Sequence, residues 1–256
     1  MSDDVERRAK RWRLDDLETV CDVVEPWEHG TVMKAPRFPT YYDYNVVWVE
    51  DDPGLSAADL IAVADEQLGE YEHRRLDFAL ATAGERARAE LEAANWEATR
   101  LLWMRHSGAL PTGSSPPVET VDYDAVLALR LAWHRDDFPE VDTIEYLANA
   151  RELAMTRDVQ VIASREGAEL VGFAQLVRSG NAAEITQVYV SAEHRGAGRG
   201  TAITRAAIEA AGDVGDLWIA ADDEDRPKEL YARLGFTPAW TGIEFVRAPG
   251  IAGWTG

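Results

Sequence analysis

Residues 195–200, Arg-Gly-Ala-Gly-Arg-Gly, combine three glycines with two arginines. Glycine tolerates positive φ and lets successive backbone N–H groups converge on an anion. The segment follows a predicted strand, Glu184 to Val190, and leads into a predicted helix from about Gly198 to Ala211, whose N-terminus adds partial positive charge. A simple tight turn would need only one of these glycines. In a chain of net charge −20, this cationic segment predicts a site for phosphate groups.

The spacing of these residues narrows the kind of phosphate site. It is neither G-x-G-x-x-G of dinucleotide-binding folds nor a loop ending in G-K-[ST]. It reads Arg-x-x-Gly-x-Gly, at Arg195, Gly198 and Gly200, and about 35 residues later follows Leu-Tyr-Ala-Arg-Leu-Gly-Phe, residues 230–236. In this order, with one predicted strand between them, the two segments resemble motifs A and B of the GNAT acyltransferase superfamily, over residues 120–248.

The resemblance implies a GNAT fold and a bound acetyl-coenzyme A. The loop would bind the pyrophosphate, and the preceding strand would pair its backbone with the pantetheine arm and offer an N–H to the oxyanion. By this resemblance the residues that bind acetyl-coenzyme A are Val188, Tyr189, Val190, Arg195, Gly196, Ala197, Gly198, Arg199, Gly200 and Thr201.

Two side chains stand where the superfamily places proton-transfer groups. Tyr231 has the general-acid position, and a phenol of pKa about 10 stays protonated at neutral pH and can protonate a thiol of pKa about 8.5. Glu184 matches the glutamate base of the histone-acetylating branch, and an alkyl amine of pKa about 10.4 needs such a base. The structural alternatives are a packed helix tyrosine and a solvated strand carboxylate. His134 and His194 are substitute bases.

One position departs from the superfamily pattern. Glu224 stands where the family usually has an asparagine that contacts the cofactor, within the run Asp222-Asp-Glu-Asp225. Carboxylates beside an anionic ligand are unfavourable unless they point away. We expect them to cap the helix that begins near Arg226, with Pro227 in its first turn. The alternative is that they line a pocket for a cationic acceptor.

The resemblance implies an acetyl-coenzyme A-dependent N-acyltransferase acting on a small-molecule amine, or on a peptide lysine or N-terminus. Direct attack in a ternary complex is expected because the motifs contain no nucleophile and the single cysteine, Cys21, is remote in sequence. The rival hypothesis is a non-catalytic coenzyme A-binding sensor or interaction protein. Transfer to a hydroxyl or thiol is a third hypothesis.

The elements that would position these residues form a mixed α/β pattern. Residues 119–256 read as α-α-β-β-β-α-β-α-β, and the first half repeats part of this order as strand 46–49, helix 56–68, strand 75–80, helix 83–94 and strand 100–104. Two separate alignments, of Val49 with Val190 and of Asn95-Trp96 with Gly235-Phe236, require nearly the same offset along the chain. This agreement predicts an internal duplication, although any two α/β halves share some resemblance.

The duplication predicts two GNAT-like domains in tandem. Residues 1–108 would form a degenerate domain without a cofactor site, because its loop opens Asp51-Asp-Pro-Gly54 and Glu90 or Leu91 stands in place of Tyr231. The segment 109–118, rich in Gly, Ser and Pro, would be a linker. Residues 119–256 would form the catalytic domain. The aromatic residues Trp12, Trp27, Tyr41, Tyr42 and Tyr44 of the first half are expected in core or interdomain packing.

Composition excludes several classes of protein. The acidic excess, shared equally by the two halves, argues against a nucleic acid partner. Two explanations of this charge stay open: a well-solvated surface, or the attraction of cationic amines such as polyamines, amino sugars or lysine side chains. No apolar run approaches the ~18 residues of a membrane span, and one cysteine allows no internal disulfide. The expected location is the cytoplasm, without a membrane or metal partner. Nothing in the pattern predicts an oligomeric state.

Overall fold

A computed structural model describes residues 2–110, 116–137 and 143–249. The middle of the predicted linker, residues 111–115, lies outside the described residues. The helices are α1 (Ser2–Val20), α2 (Ala57–Leu68), α3 (Ala81–Ala93), α4 (Leu127–Asp137), α5 (Thr143–Thr156), α6 (Arg199–Ala211) and α7 (Pro227–Arg233). The strands are β1 (Val23–Trp27), β2 (Gly30–Lys34), β3 (Val46–Val49), β4 (Arg74–Phe78), β5 (Glu97–His106), β6 (Val118–Val121), β7 (Asp158–Glu166), β8 (Glu169–Ser179), β9 (Ala182–Val190), β10 (Asp216–Asp222) and β11 (Phe236–Arg247).

Every element predicted from the sequence is present within a few residues. The predicted helix at Tyr123 begins as a 3-10 turn and becomes α4 at Leu127. The sequence analysis missed α1, β1, β2 and β6. Helix α1 is rich in charged residues, which mask its buried apolar positions Ala9, Trp12 and Leu17. The three strands are short, with mostly exposed or half-buried residues in β1 and β6, so they give no clear alternation.

All eleven strands form one sheet in the order β1-β2-β3-β4-β11-β5-β10-β9-β8-β7-β6. The last strand of each half crosses into the other half: β5 pairs with β10, and β11 pairs with β4. Between them, β5 and β11 pair with each other from Phe236↔His106 to Val246↔Glu97. The two halves are therefore joined by continuous backbone hydrogen bonds.

The offset found in the sequence relates equivalent elements of the two halves. It maps β3, α2, β4, α3 and β5 onto β9, α6, β10, α7 and β11. The pairs β3–β4 and β9–β10 are both parallel. Asn95 and Gly235, which this offset aligns, both have positive φ, at 63° and 92°, just after α3 and α7 respectively. The chain thus has the mixed sheet and the tandem arrangement that the sequence predicted.

Helices cover both faces of the sheet. On one face, α2 and α3 pack over the first half and α6 and α7 over the second. On the other face, α1 and α5 pack on a core drawn from both halves that contains Trp12, Trp48, Trp103, Trp218 and Trp240. The predicted packing role of Trp12, Tyr41 and Tyr44 is confirmed, since all three are buried there; Trp27 is half-buried against a neighbouring core.

Across the described ranges, no helix has the length and apolar character needed to span a membrane.

Candidate active site

The loop between β9 and α6 is an open cluster of backbone donors. Gly196 and Gly198 have φ of 81° and 76°, and a Cβ at either position would meet no atom within 4 Å. Gly198 is the N-cap of α6, and no side chain caps this helix. Among the described residues, none accepts a hydrogen bond from the backbone N–H groups of residues 196–201. The first turn of a helix always leaves such donors, and here they face open space.

The two arginines of the loop differ in what they contact. Arg195 donates from Nε to the Val190 carbonyl at 2.9 Å, and its guanidinium lies 5.9 Å from the centre of the Tyr189 ring. Its side chain is exposed at the loop. Arg199 instead donates to Ser164 Oγ and pairs with Glu166, so its charge is neutralised on the β7–β8 hairpin. Of the two predicted cations, Arg195 faces the loop, whereas Arg199 offers it only a backbone N–H.

Beside this loop, β9 separates from its parallel neighbour β10. Their pairing runs from Ala182↔Asp216 to Ile185↔Ile219, yet β9 continues to Val190 and β10 to Asp222. Gln187, with φ of 55°, lies at a bulge where the β8–β9 register shifts. The predicted residues 188–190 lie on the part of β9 that has lost its partner on this side. The separation leaves a strand edge open to an extended ligand.

Tyr231 lies on α7, on the same face of the sheet as α6. Its ring is 6% exposed and lies edge-on to Phe236, with centroids 6.2 Å apart. Burial, reinforced by Asp225, raises the pKa of Tyr231 to about 12, so the phenol holds its proton at neutral pH. The neighbouring Leu230 packs against the first turn of α6, 3.5 Å from where a Cβ at Gly200 would lie. The helix that carries Tyr231 therefore packs against the glycine-rich start of α6.

Glu184 lies on the other face of the sheet, at the point where β9 and β10 part. Its Oε2 accepts a hydrogen bond from Trp12 Nε1 at 2.9 Å. Burial, and next the nearby Asp16, raise the pKa of Glu184 to about 7. The next residue, Ile185, packs in the same core as Tyr231. The carboxyl group and the phenol thus approach the opened strands from opposite faces.

Comparison with family models identifies a domain in the second half of the chain. Residues 127–236 match the model of the Acetyltransferase (GNAT) family. The second half of the chain contains a GNAT domain. None of the curated proteins matches the sequence.

The whole chain shares its fold with solved structures. A conserved protein of unknown function from Staphylococcus epidermidis ATCC 12228 is 15% identical with a TM-score of 0.70, covering 93% of this chain and 98% of that chain. A GCN5-related N-acetyltransferase from Kribbella flavida is 18% identical with a TM-score of 0.59, covering 94% and 95%. A GCN5-related N-acetyltransferase from Sphaerobacter thermophilus is 14% identical with a TM-score of 0.55, covering 82% and 76%. At these identities the similarity concerns the fold.

A cavity of about 180 Å³ lies where the GNAT domain meets the first half, and Glu184 is in its wall. The first half contributes residues of α1 and of the segment before β3, among them Arg13, Asp16 and Tyr41. The GNAT domain contributes Arg130, Arg157, Gln175, Thr186 and Gln187. Sequence analysis did not identify this cavity, because its residues come from separate elements and follow no spacing. The sequence feature that could have pointed to this cavity is the polar character of helix α1.

The two histidines considered as bases do not line this cavity. His194 Nδ1 lies 2.8 Å from Ser191 Oγ, at the start of the loop. His134 is buried on α4, with its ring centroid 4.2 Å from that of Tyr146. Within the described part of the chain, Glu184 is the candidate base of the GNAT domain that reaches the cavity. That same part contains no group of three or more His, Cys, Asp or Glu side chains placed to hold a metal ion.

The acidic segment before α7 does not cap that helix, so this expectation is wrong. The N-cap is Arg226, which makes no side-chain capping bond, and Pro227 occupies the first turn as predicted. Asp222 accepts from the backbone N–H of Glu224, and Asp225 from that of Arg226, within the preceding turn. Glu224 pairs with Arg88 of α3 at 2.9 Å. This carboxylate therefore links the GNAT domain to the first half.

Proposed function

We propose that this protein is an acetyl-coenzyme A-dependent N-acyltransferase that transfers an acetyl group to an amine within a ternary complex. The observation that carries the proposal is the separation of β9 from β10 directly beside an uncapped, glycine-rich helix start. An extended ligand with a diphosphate group needs both features at once, a free strand edge and a set of anion-binding donors.

The residues present fit coenzyme A. The N–H groups of residues 196–201 and the exposed Arg195 would hold the diphosphate, and positive φ at Gly196 and Gly198 turns the backbone towards it. The unpaired edge of β9 at residues 188–190 would bind the extended arm. When bound, acetyl-coenzyme A supplies an acetyl group activated as a thioester, and the overall transfer joins that group to the amine nitrogen and leaves coenzyme A with a free thiol.

The chain's own groups handle two protons. Glu184, whose pKa of about 7 leaves much of it ionised at neutral pH, takes the proton from the amine nitrogen in the cavity. Tyr231 lies on the opposite face of the sheet and keeps its hydroxyl proton at neutral pH. It donates this proton towards the sulfur that leaves as a thiol. Because the two groups approach from opposite faces of the sheet, each proton has its own route.

We assign different proposed roles to the two halves of the chain. The segment 119–256 is the catalytic domain, and residues 1–108 form a GNAT-like domain without a cofactor site that completes the acceptor cavity. Arg13, Asp16 and Tyr41 of the first half line that cavity, which supports the second role.

The deciding experiment combines binding with turnover. Coenzyme A titrated into the folded protein should give saturable heat with one site, and acetyl-coenzyme A with a panel of amines should release free thiol. Binding without thiol release for any amine would instead support a coenzyme A sensor. The absence of binding heat in folded protein would contradict both functions.

A further inference from the structure

The cavity between the halves is lined by more charged side chains than the one proposed base, Glu184, that takes part in proton transfer there. Most of its charged side chains are paired within the protein. Asp16 pairs with Arg157 and accepts a hydrogen bond from Tyr44 at 3.0 Å. Asp43 and Glu244 both pair with Arg75, each at 2.7 Å. Each of these carboxylates is therefore held by a guanidinium of the protein.

Among the described charged residues that line the cavity, Glu184 and Arg130 have no ion pair, and Arg130, on α4, is the cation of the two. Only 3% of it is exposed, and its guanidinium lies over the rings of Tyr123 and Phe173, at 5.2 and 5.9 Å. One terminal nitrogen donates to the amide oxygen of Gln187, and the buried Nε has no acceptor. Among the described residues, no carboxylate pairs with it. A buried cation without a counter-charge is costly, so this arrangement indicates that an anion completes it.

The position of Gln187 places this cation beside the candidate base. Gln187 Nε2 donates to the hydroxyl of Tyr41 at 2.8 Å, which holds the amide with its oxygen towards Arg130. Gln187 is three residues after Glu184 on the same strand, so their Cα atoms lie within about 10 Å. Arg130, Gln187 and Glu184 all line the same cavity.

We propose that the acceptor is a small molecule carrying both an amine and a carboxylate, as an amino acid does. Its carboxylate pairs with Arg130, and this places its amine at Glu184. The proposal rests on the acyltransferase function proposed above and adds the substrate class to it. The acidic chain alone suggested cationic amines, but the unpaired cation Arg130 in the cavity favours an acceptor that carries a carboxylate as well as an amine.

The size of the cavity supports a small acceptor. Its volume of about 180 Å³ is enough for several water molecules and therefore for a small organic molecule. An amino acid of modest size is of this order. Arginine also recognises a carboxylate through two parallel hydrogen bonds, which fixes orientation as well as position.

The experiment compares each of the twenty amino acids with its own carboxamide, which keeps the amine and the side chain but lacks the negative charge. Thiol release from acetyl-coenzyme A gives kcat/KM, and calorimetry on coenzyme A-saturated protein gives the affinity for each compound. We expect at least one amino acid to exceed its carboxamide roughly 10- to 100-fold in both measurements. Equal values within every pair that reacts or binds would overturn the proposal.

Variants test whether Arg130 is the source of the preference. Arg130→Gln should bring the acid and the carboxamide to similar kcat/KM, mainly by raising KM for the acid. If Arg130 were purely structural, its replacement would lower kcat/KM for the acid and for the carboxamide by the same factor. That result would exclude the assigned role. The matched control is Arg151→Gln on the neighbouring α5, whose exposed side chain pairs with Asp124 and which should keep the full preference.

If Arg130→Gln does not fold, Gln187→Glu provides the second variant. It places a carboxylate beside Arg130 with almost no change of shape, so the preference for acids should again be lost, and its persistence would contradict the proposal. Coenzyme A binding by each variant is measured in parallel. Acetylation of plain amines without any preference for acids would leave the acyltransferase function standing and refute this inference alone, whereas loss of coenzyme A binding by the parent protein would refute the function itself.

Discussion

The two halves of the molecule have the same order of elements but differ where the cofactor would bind. In the first half, β3 and β4 stay paired to their ends, and the Ala79 N–H extends the pairing by donating to the Val49 carbonyl at 2.9 Å. In the second half, β9 and β10 separate after Ile185 and Ile219. A parallel pair that stays closed has no free edge for a ligand, so one half lacks the slot that the other has.

The N-termini of α2 and α6, the equivalent helices of the two halves, also differ in whether a side chain caps them. Ser56 and Asp59 form a capping box at α2, in which Ser56 Oγ accepts from the Asp59 N–H and Asp59 accepts from the Ser56 N–H. The capping box thus uses the N–H of Asp59, in the first turn of α2, within the protein. The N-terminus of α6, with Gly198 as N-cap, has no such bonds. Asp51 and Asp52 add negative charge at the first loop, with Asp52 paired to Arg86. The two halves therefore differ, through a few residues, in the free backbone donors and the charge that an anion would meet.

Replacement of Tyr231 should show the largest effect. Tyr231→Phe removes the proposed proton donor and should lower turnover about 10²- to 10⁴-fold while leaving coenzyme A affinity nearly unchanged. Steady-state kinetics and calorimetry measure the two quantities. The control is Glu90→Gln, at the equivalent position of the first half, which should leave turnover intact. Normal turnover in Tyr231→Phe would remove this residue from the mechanism.

Glu184 should determine the pH dependence. Its carboxyl is protonated below a pKa of about 7 and ionised above it, so the turnover should rise with pH through that value. Glu184→Gln should lower turnover about 10²-fold at pH 8 and remove this inflection. A pH profile of kcat for both proteins measures it, and an unchanged inflection in the variant would assign the titration to another group.

The two loop arginines should separate cofactor binding from stability. Arg195→Glu places a negative charge beside the bound diphosphate and should weaken coenzyme A binding about 10- to 100-fold by calorimetry. Arg199→Gln is the matched comparison, because Arg199 pairs with Glu166: it should lower the melting temperature with little change in affinity. The reverse result would exchange the roles assigned to these residues.

The smallest effect is expected at the cap of the first half. Ser56→Ala removes the side-chain acceptor of α2 and should lower the free energy of unfolding by about 0.5–2 kcal/mol. Denaturant unfolding measures this loss. Coenzyme A affinity should stay the same, because we place no cofactor in this half. A clear change in affinity would indicate that the first loop contributes to binding.

Sequence patterns predicted the elements that surround the loop well. Apolar periodicity and turn residues located β7 to β9, α6, β10, α7 and β11, and the two-residue turn at Gly180-Asn181 joins β8 and β9 with Ser179 opposite Ala182. Ser56, the first residue of the predicted helix 56–68, is the N-cap of α2. By contrast, the crossing of β5 and β11 was not predicted, since strand order depends on long-range pairing that leaves no mark in local periodicity.

The sequence by itself determined the glycine- and arginine-rich loop at the start of α6, the motif tyrosine and the internal repeat, because each depends on local backbone preferences or on a fixed spacing along the chain. The tertiary structure alone decided the cavity. It joins α1, the segment before β3, α4 and β9, and there it pairs most charges while leaving Arg130 without a carboxylate partner among the described residues. Burial and charge pairing depend on what surrounds a side chain in space, and residues far apart in the chain supply those surroundings.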